Sequence, residues 1–360
     1  MNVQTKILTA ENGFGGHLAL RTVRFGIPGG RPKVYIQAGT HTEELPGPLV
    51  LHHLEQILGG VDADAWQGEV ILVPFANPIG LTQAISGNPI GRLELASGMN
   101  FNLSWPSLPA PSEMSATQQL RNATALTALG QIRLEILRMA HDADIVLDIH
   151  CCMEPAVSFA FVDDQRADNV RTLAAALNLD AVFTSPASSS GTFTDVITQI
   201  KGTRGRGEAS HPSMVATLEL RSNRDVDDRM AHLDALGLKA YLHDTGALRW
   251  PGEAIAVWAG ILAPYSSTHA VVAEVGGVFL PRVTIRQEVK QGQLIGEILI
   301  PVPTGSVGRT SVHAPCDGLV ISHADPSKIL HPGASTCILF PTSPICGPVR
   351  AYFDTGSGWA

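Results

Sequence analysis

Along the first two-thirds of the chain, short apolar runs alternate with stretches whose apolar positions recur every three or four residues. Pro32–Ala38 (PKVYIQA), Glu69–Phe75 (EVILVPF) and Ile145–Ile149 (IVLDI) are near-continuous apolar runs rich in β-branched residues. Strands buried on both faces have this composition. Ala156–Val162, Asp180–Thr184 and Met214–Leu220 read the same way. Helical spacing predicts a helix over Leu49–Leu58, stopped by Gly59-Gly60, and a long one over Ser115–His141 with Leu126, Leu129, Ile132, Ile136 and Leu137 on one face. Further helices are expected near Arg166–Leu177 and Asp228–Leu242. Strands alternating with helices predict an α/β fold, with a mixed, mostly parallel sheet covered by helices on both faces.

The pattern changes after Trp250. Long helical periodicities stop, and from Ala273 short strand-like segments are separated by turns at Gly276-Gly277, Lys290–Gln293, Ala314–Gly318 and His331–Gly333. Regular turns at short spacing predict a smaller all-β domain. The expected division is residues 1–255 for the α/β domain and 256–360 for the β-rich one.

Composition narrows the class. Of 360 residues, 44% are hydrophobic and 16% charged, which is enough apolar material for a large core. A formal net charge of -8 lacks the basic footprint that a nucleic-acid partner requires. No window approaches the roughly 18 consecutive apolar residues of a membrane span, and Met1–Glu11 has no signal-peptide pattern. The five cysteines are not spaced as a disulfide framework. Together these features predict a cytoplasmic protein with neither nucleic acid nor membrane as a partner.

The candidate chemistry begins directly after the first apolar strand, in Gly39-Thr40-His41-Thr42-Glu43-Glu44. An imidazole and a carboxylate at this spacing can converge on one ion where a loop enters a helix. A catalytic zinc takes three protein ligands and keeps an open position. The third is expected elsewhere, and the strand ending Asp148-Ile149-His150 offers it, because parallel sheets present functional groups at their carboxyl ends. A lone histidine is more often a core or loop residue; His41 with Glu44, and His150 at a second strand end, favour a metal site. Asp148 is then either a strand-end cap or an acceptor for the far N–H of a ligating histidine.

His41-x-x-Glu44, then Asp148-x-His150, then Thr217-Leu218-Glu219, in that order, resembles the succinylglutamate desuccinylase/aspartoacylase family, a branch of the zinc carboxypeptidase-like fold. The resemblance covers nearly the whole chain. The family's usual Gly-x-His-Gly-x-Glu departs here at Thr42. The resemblance implies one zinc ion per chain, held by His41, Glu44 and His150, and a reaction in which metal-bound water attacks the acyl carbon of a small N-acyl substrate. Glu219 matches the family's catalytic glutamate, which takes a proton from the water and returns it to the leaving amine. On spacing alone, Glu219 is equally an ion-pair partner of Arg221 or Arg224.

Asn100-Phe101-Asn102-Leu103-Ser104-Trp105-Pro106 is similar to the family segment Asp-Leu-Asn-Arg-x-Phe-Pro. Asn102 keeps the pattern and is expected to bind substrate. Asn100 stands for an aspartate, and Leu103 for an arginine that would clamp a substrate carboxylate. Arg92 resembles the upstream family arginine and is expected to polarise the scissile carbonyl and contact substrate. Asn77-Pro78 fits the pattern as a turn-former. Cys151-Cys152 reads as buried small residues, and the basic run Lys201–Gly207 lacks phosphate-loop order.

The C-terminal segments Val289–Gly296 and Val312–Val320 resemble the barrel-sandwich fold of biotinyl and lipoyl carriers, without a carrier lysine between methionines. The resemblance implies a domain that restricts access to the site; a homo-oligomer contact is the other role it would suit. The expected function is a zinc-dependent deacylase acting on a linear amide. A zinc carboxypeptidase is the nearest alternative, against which Leu103 counts. A non-catalytic metal-binding protein is the other, against which Glu219 counts.

Overall fold

The alternation of apolar runs and helical stretches is realised as a nine-stranded mixed sheet with helices on both faces. A computed structural model describes residues 4–11, 15–108, 114–164, 170–186, 191–202, 213–250, 252, 254–300 and 308–342. The described residues form two units, one within Met1–Cys151 and Phe159–Leu262, the other within Cys152–Ser158 and Ala263–Trp359.

In the first unit the strands are β1 (Gln4–Glu11), β2 (His17–Gly26), β3 (Lys33–Ala38), β4 (Glu69–Val73), β7 (Ile145–Cys152), β8 (Phe159–Asp163), β9 (Ala181–Ser185), β10 (Met214–Ser222) and β11 (Ile261–Pro264), with a small hairpin of β5 (Ala84–Ile85) and β6 (Asn88–Pro89) beside them. The sheet order is β1-β2-β4-β3-β7-β10-β8-β9-β11. β3 lies parallel between β4 and β7, and all three are buried at every residue, as their unbroken apolar runs require. The β1–β2 hairpin, more polar and antiparallel, was not apparent from the apolar pattern.

The helices are α1 (Pro46–Gly59), α2 (Ala116–Asn122), α3 (Ala128–Ala140), α4 (Arg171–Ala176), α5 (Phe193–Gly202) and α6 (Asp228–Asp244). One sheet face packs Val34, Ile36, Leu147, Ile149 and Leu218 with Leu51 and Leu54 of α1 and Leu238 of α6. The other packs Tyr35, Val146 and Val215 with Ile132 and Leu137 of α3 and Phe193 and Ile197 of α5. Side chains alternate along a strand. Gln37, Asp148, His150, Thr217 and Glu219 therefore follow Tyr35, Val146 and Val215 on the second face. The functional side chains share one face because their spacing from the core residues is even.

Three expectations need correction. The helix expected over Ser115–His141 is two helices. Ser115 caps α2 in a capping box with Gln118, and the Thr127 hydroxyl accepts from Gly130 N at 3.1 Å to start α3. Leu126 falls in the break and is 99% exposed, not on the core face. The strand expected from Ala156 begins at Phe159, because Val157 N donates to Ile321 O (2.9 Å) within the second unit. α5 was not anticipated at all.

The second unit contains β12 (His269–Val272), β13 (Gly277–Pro281), β14 (Glu288–Val289), β15 (Leu294–Ile300), β16 (Gly308–His313), β17 (Gly318–His323), β18 (Ile329–Leu330) and β19 (Ser335–Pro341). They form two four-stranded sheets, β12-β19-β17-β14 and β16-β15-β13-β18, with antiparallel pairings and cores around Val289, Ile295 and Leu339 and around Phe279 and Ile298. Among the described residues no helix is long and apolar enough to cross a membrane.

Candidate metal centre

His41 and Glu44 stand on the turn that leaves β3. Gly39 has φ +66°, and a Cβ there would lie 3.0 Å from Phe75 Cδ1, so glycine is required for this close turn. Glu44 N donates to His41 O at 3.2 Å, and α1 then opens on Pro46, earlier than the periodicity placed it. Proline suits a first helical turn because no N–H is needed there. Thr42, the departure from the family motif, is buried where Gly91 leaves room: a Cβ at Gly91 would sit 2.2 Å from Thr42 Oγ1.

His150 comes from β7, and the three side chains meet in the interior. Glu44 Oε1 lies 2.8 Å from His41 Nδ1, and Glu44 Oε2 lies 2.9 Å from His150 Nδ1. One ligand atom from each residue falls within 4.8 Å of the other two, the only such group among the described residues. The far ring nitrogens each face an oxygen. His41 Nε2–H donates to Asn100 Oδ1 at 2.8 Å, and His150 Nε2–H donates to Asp148 Oδ2 at 3.0 Å. Asp148 is thus an acceptor for a histidine and not merely a strand-end cap. Its other oxygen accepts from Gln37 Nε2 (2.9 Å), and Gln37 Oε1 accepts from Tyr35 O–H (2.9 Å).

This set fits a divalent cation. Two imidazole nitrogens and a carboxylate oxygen are donors that zinc accepts, and acceptors on both far nitrogens turn the Nδ1 lone pairs inward. The electrostatics agree. Burial alone would raise the Glu44 carboxyl, yet the charges of His41 and His150 hold it below the usual carboxylate range. Burial disfavours a charged His150, yet Asp148 and Glu44 push it well above its ordinary value. Buried carboxylates beside the imidazoles favour positive charge at this point.

Glu219 is on β10, across from Phe159. Burial pushes its carboxyl up to about 8; Glu44 and Asp148 act in the same direction, and His150 and Arg92 oppose them. The charges of Glu44, Asp148, His150 and Arg92 all act on it.

Arg92 follows the β5–β6 hairpin. Its Nη2 donates to Glu44 Oε1 at 2.8 Å, and its Nε lies 3.8 Å from Glu43 Oε1. The residues that lengthen the interval between Arg92 and Asn100 form a turn: Glu94 N donates to Met99 O, and Leu93 pairs with Asn100. Asn102 is buried. Its Oδ1 accepts from Phe193 N at 3.3 Å, and its Nδ2 lies 3.3 Å from His150 Nε2. Asn77 ties the loop to Thr40 O (2.9 Å) and Gly80 N (3.0 Å), a turn-forming role. Cys151 is buried, and its thiol is pushed well above its ordinary value by burial and by the carboxylates of Glu44 and Glu219. Residues 203–212, and with them Arg204 and Arg206, lie outside the described residues.

Gln37 and Asn100 were not anticipated as partners of the centre, nor Arg133 as a buried donor to the carbonyls of Phe101, Leu103 and Ser104. Gln37 had a signal, a polar residue inside an otherwise apolar strand. Asn100 was noticed only as a lost charge. Arg133 had none, since an arginine on a helix usually faces water.

The profile of the succinylglutamate desuccinylase/aspartoacylase catalytic domain matches residues 30–243. No curated protein matches the sequence. Among solved structures, the chain is similar to a succinylglutamate desuccinylase/aspartoacylase-type protein from Shewanella frigidimarina NCIMB 400, with TM-score 0.76, 20% identity, and 94% of this chain and 97% of that chain covered. A family protein from Shewanella amazonensis SB2B gives TM-score 0.74 and 22% identity over 93% and 98%. The product-bound ectoine utilization protein EutE (DoeB) from Ruegeria pomeroyi gives TM-score 0.67 and 18% identity over 94% of each chain. At these identities the likenesses establish a shared fold.

Proposed function

The chain belongs to the succinylglutamate desuccinylase/aspartoacylase family, and on that footing we propose that it is a zinc-dependent amide hydrolase that removes an N-acyl group from a small amino-acid-like or amine substrate. The observation that carries this reading is the buried convergence of His41, Glu44 and His150. A divalent ion bound by these residues supplies Lewis-acid polarisation of a carbonyl and activation of water.

The remaining chemistry falls to the chain. Glu219 Oε takes the proton of the attacking water and hands it to the leaving nitrogen, so that amide and water become carboxylate and amine. A carboxyl poised near neutrality suits both halves of that task. The Arg92 guanidinium, held beside the centre by Glu44, stabilises negative charge on the acyl oxygen. Asp148 and Asn100 hold the two imidazoles in orientation. Leu103 supplies no charge where an arginine clamp would stand, which favours substrates that do not depend on a carboxylate at that point.

The test is a metal analysis of freshly purified protein followed by a panel of N-acyl amino acids, N-acyl diamines and short peptides. Stoichiometric zinc with amide cleavage in the panel supports the reading. No zinc, and no activity after zinc is added, would overturn it. Cleavage confined to peptides would replace it with a peptidase.

A further inference from the structure

Arg133 is an arginine in the wrong place for a solvated helix residue. It lies on α3 and is only 5% exposed. Among the described residues, none of its hydrogen bonds goes to a carboxylate. Its guanidinium instead donates to three backbone carbonyls of one loop, Phe101 O (2.8 Å), Leu103 O (2.9 Å) and Ser104 O (3.0 Å). The same guanidinium lies 5.2 Å from the centroid of the Trp105 ring. Burying a cation is costly, and this one loses enough solvation that its pKa falls to about 10, with Glu94 acting in the opposite direction. A charge retained in the interior against that cost is expected to hold something in place.

What it holds is the segment that contacts both metal histidines. Asn100 Oδ1 accepts from His41 Nε2 and, at 2.8 Å, from Asn102 N; the Asn102 side chain reaches His150 Nε2 and Phe193 N. The loop's path is unusual. Ser104 has φ +57°, a left-handed conformation that a non-glycine residue adopts only when its surroundings impose it. The Arg133 fork binds the carbonyls on either side of that residue's strained turn, and Trp105 N is fixed separately by Gly191 O at 2.8 Å. A planar donor with several N–H groups can reach three carbonyls at once, and a lysine ammonium cannot do so in the same geometry.

We propose that Arg133 is a positioning residue for the metal centre, holding the loop from Asn100 to Trp105 so that Asn100 fixes the His41 imidazole with Nδ1 facing the ion. The inference rests on the metal-hydrolase reading above. It assigns to Arg133 an effect on metal affinity that travels through Asn100, without contact between Arg133 and either the ion or the substrate.

The experiment is a double-mutant cycle of Arg133→Lys and Asn100→Ala, read as zinc affinity by competition against a chelator, with folding checked by circular dichroism. The wild type is measured first; a wild type that binds no zinc overturns both this inference and the functional reading. Given zinc binding, each single variant is expected to lose about 10- to 100-fold in affinity, the range for partners that orient a metal ligand. The double variant is expected to lose no more than Asn100→Ala alone, because both changes break one connection. Losses that multiply, or a folded Arg133→Lys variant with unchanged affinity, overturn the inference and leave the functional reading standing. If Arg133→Lys does not fold, nitrogen-15 spectra of the wild type decide. Zinc loading is expected to shift the Arg133 guanidinium resonances, and resonances indifferent to zinc count against the connection.

Discussion

Asn100 Oδ1 accepts a hydrogen bond from His41 Nε2 at 2.8 Å, at a position where the family segment carries an aspartate. An amide can fix an imidazole's orientation as a carboxylate does, but it adds no negative charge beside it. Asn100 therefore orients His41 without adding negative charge beside it. Asn100→Asp is expected to tighten zinc binding several-fold by making His41 a more basic ligand. Chelator competition at fixed pH measures this, and weaker binding would mean that the amide's neutrality is itself required, for instance to spare repulsion from Glu44.

Glu219→Gln preserves shape and removes the exchangeable proton. Bound zinc is expected to remain stoichiometric while turnover on the best panel substrate falls by about 10²- to 10⁴-fold. Metal content and kcat measured on the same preparation separate the two effects. Full activity in this variant would remove Glu219 from the mechanism.

Cys151 sits beside the centre, and its backbone N donates to Glu44 Oε2 at 3.1 Å. Burial and the carboxylates of Glu44 and Glu219 raise its thiol, against Gly47 and Arg221, which disfavours the thiolate form. Cys151→Ala is expected to keep zinc and to hold kcat within about threefold of wild type, the small residual reflecting altered core packing. Loss of activity with retained metal would point to a thiol-dependent reaction.

The pH dependence of stability has one traceable source remote from the centre. Burial raises the Asp142 carboxyl, but Lys33, His141 and Arg31 outweigh it and hold the group below its ordinary value. A carboxyl depressed in the folded state adds stability above its unfolded pKa, near 3.9, and that stability is lost as pH falls through the folded value. Asp142→Asn is expected to lower Tm by about 2–4 °C at pH 7, an ion-pair contribution of about 1 kcal/mol being near the upper end for a partly exposed pair. The difference should vanish well below pH 4. Thermal scans between pH 3 and 7 test this, and a gap that persists at pH 3 would assign the loss to packing.

The order of the motifs, read with the family resemblance, picked out the three side chains that the fold brings together as a group able to hold a metal ion. His41 and Glu44 were legible because they follow a strand written as an unbroken apolar run, and His150 because it lies towards the end of another. The α/β class and the presence of a C-terminal β-rich region were legible for the same reason, since periodicity is a near-neighbour property. Tertiary structure decided what the spacing could not. The helical pattern from Ser115 to His141 ran through a real break because Thr127 competes for the backbone as a cap, a choice made by one side chain against a periodicity of many. Asn100 looked like a lost charge until folding set it against a histidine 59 residues away. Arg133 looked like a surface arginine until α3 turned it beneath the loop whose carbonyls it binds. The order of residues along the chain determined which donors the centre could have. Only the fold, by bringing distant segments into hydrogen-bond range, decided which way each imidazole faces.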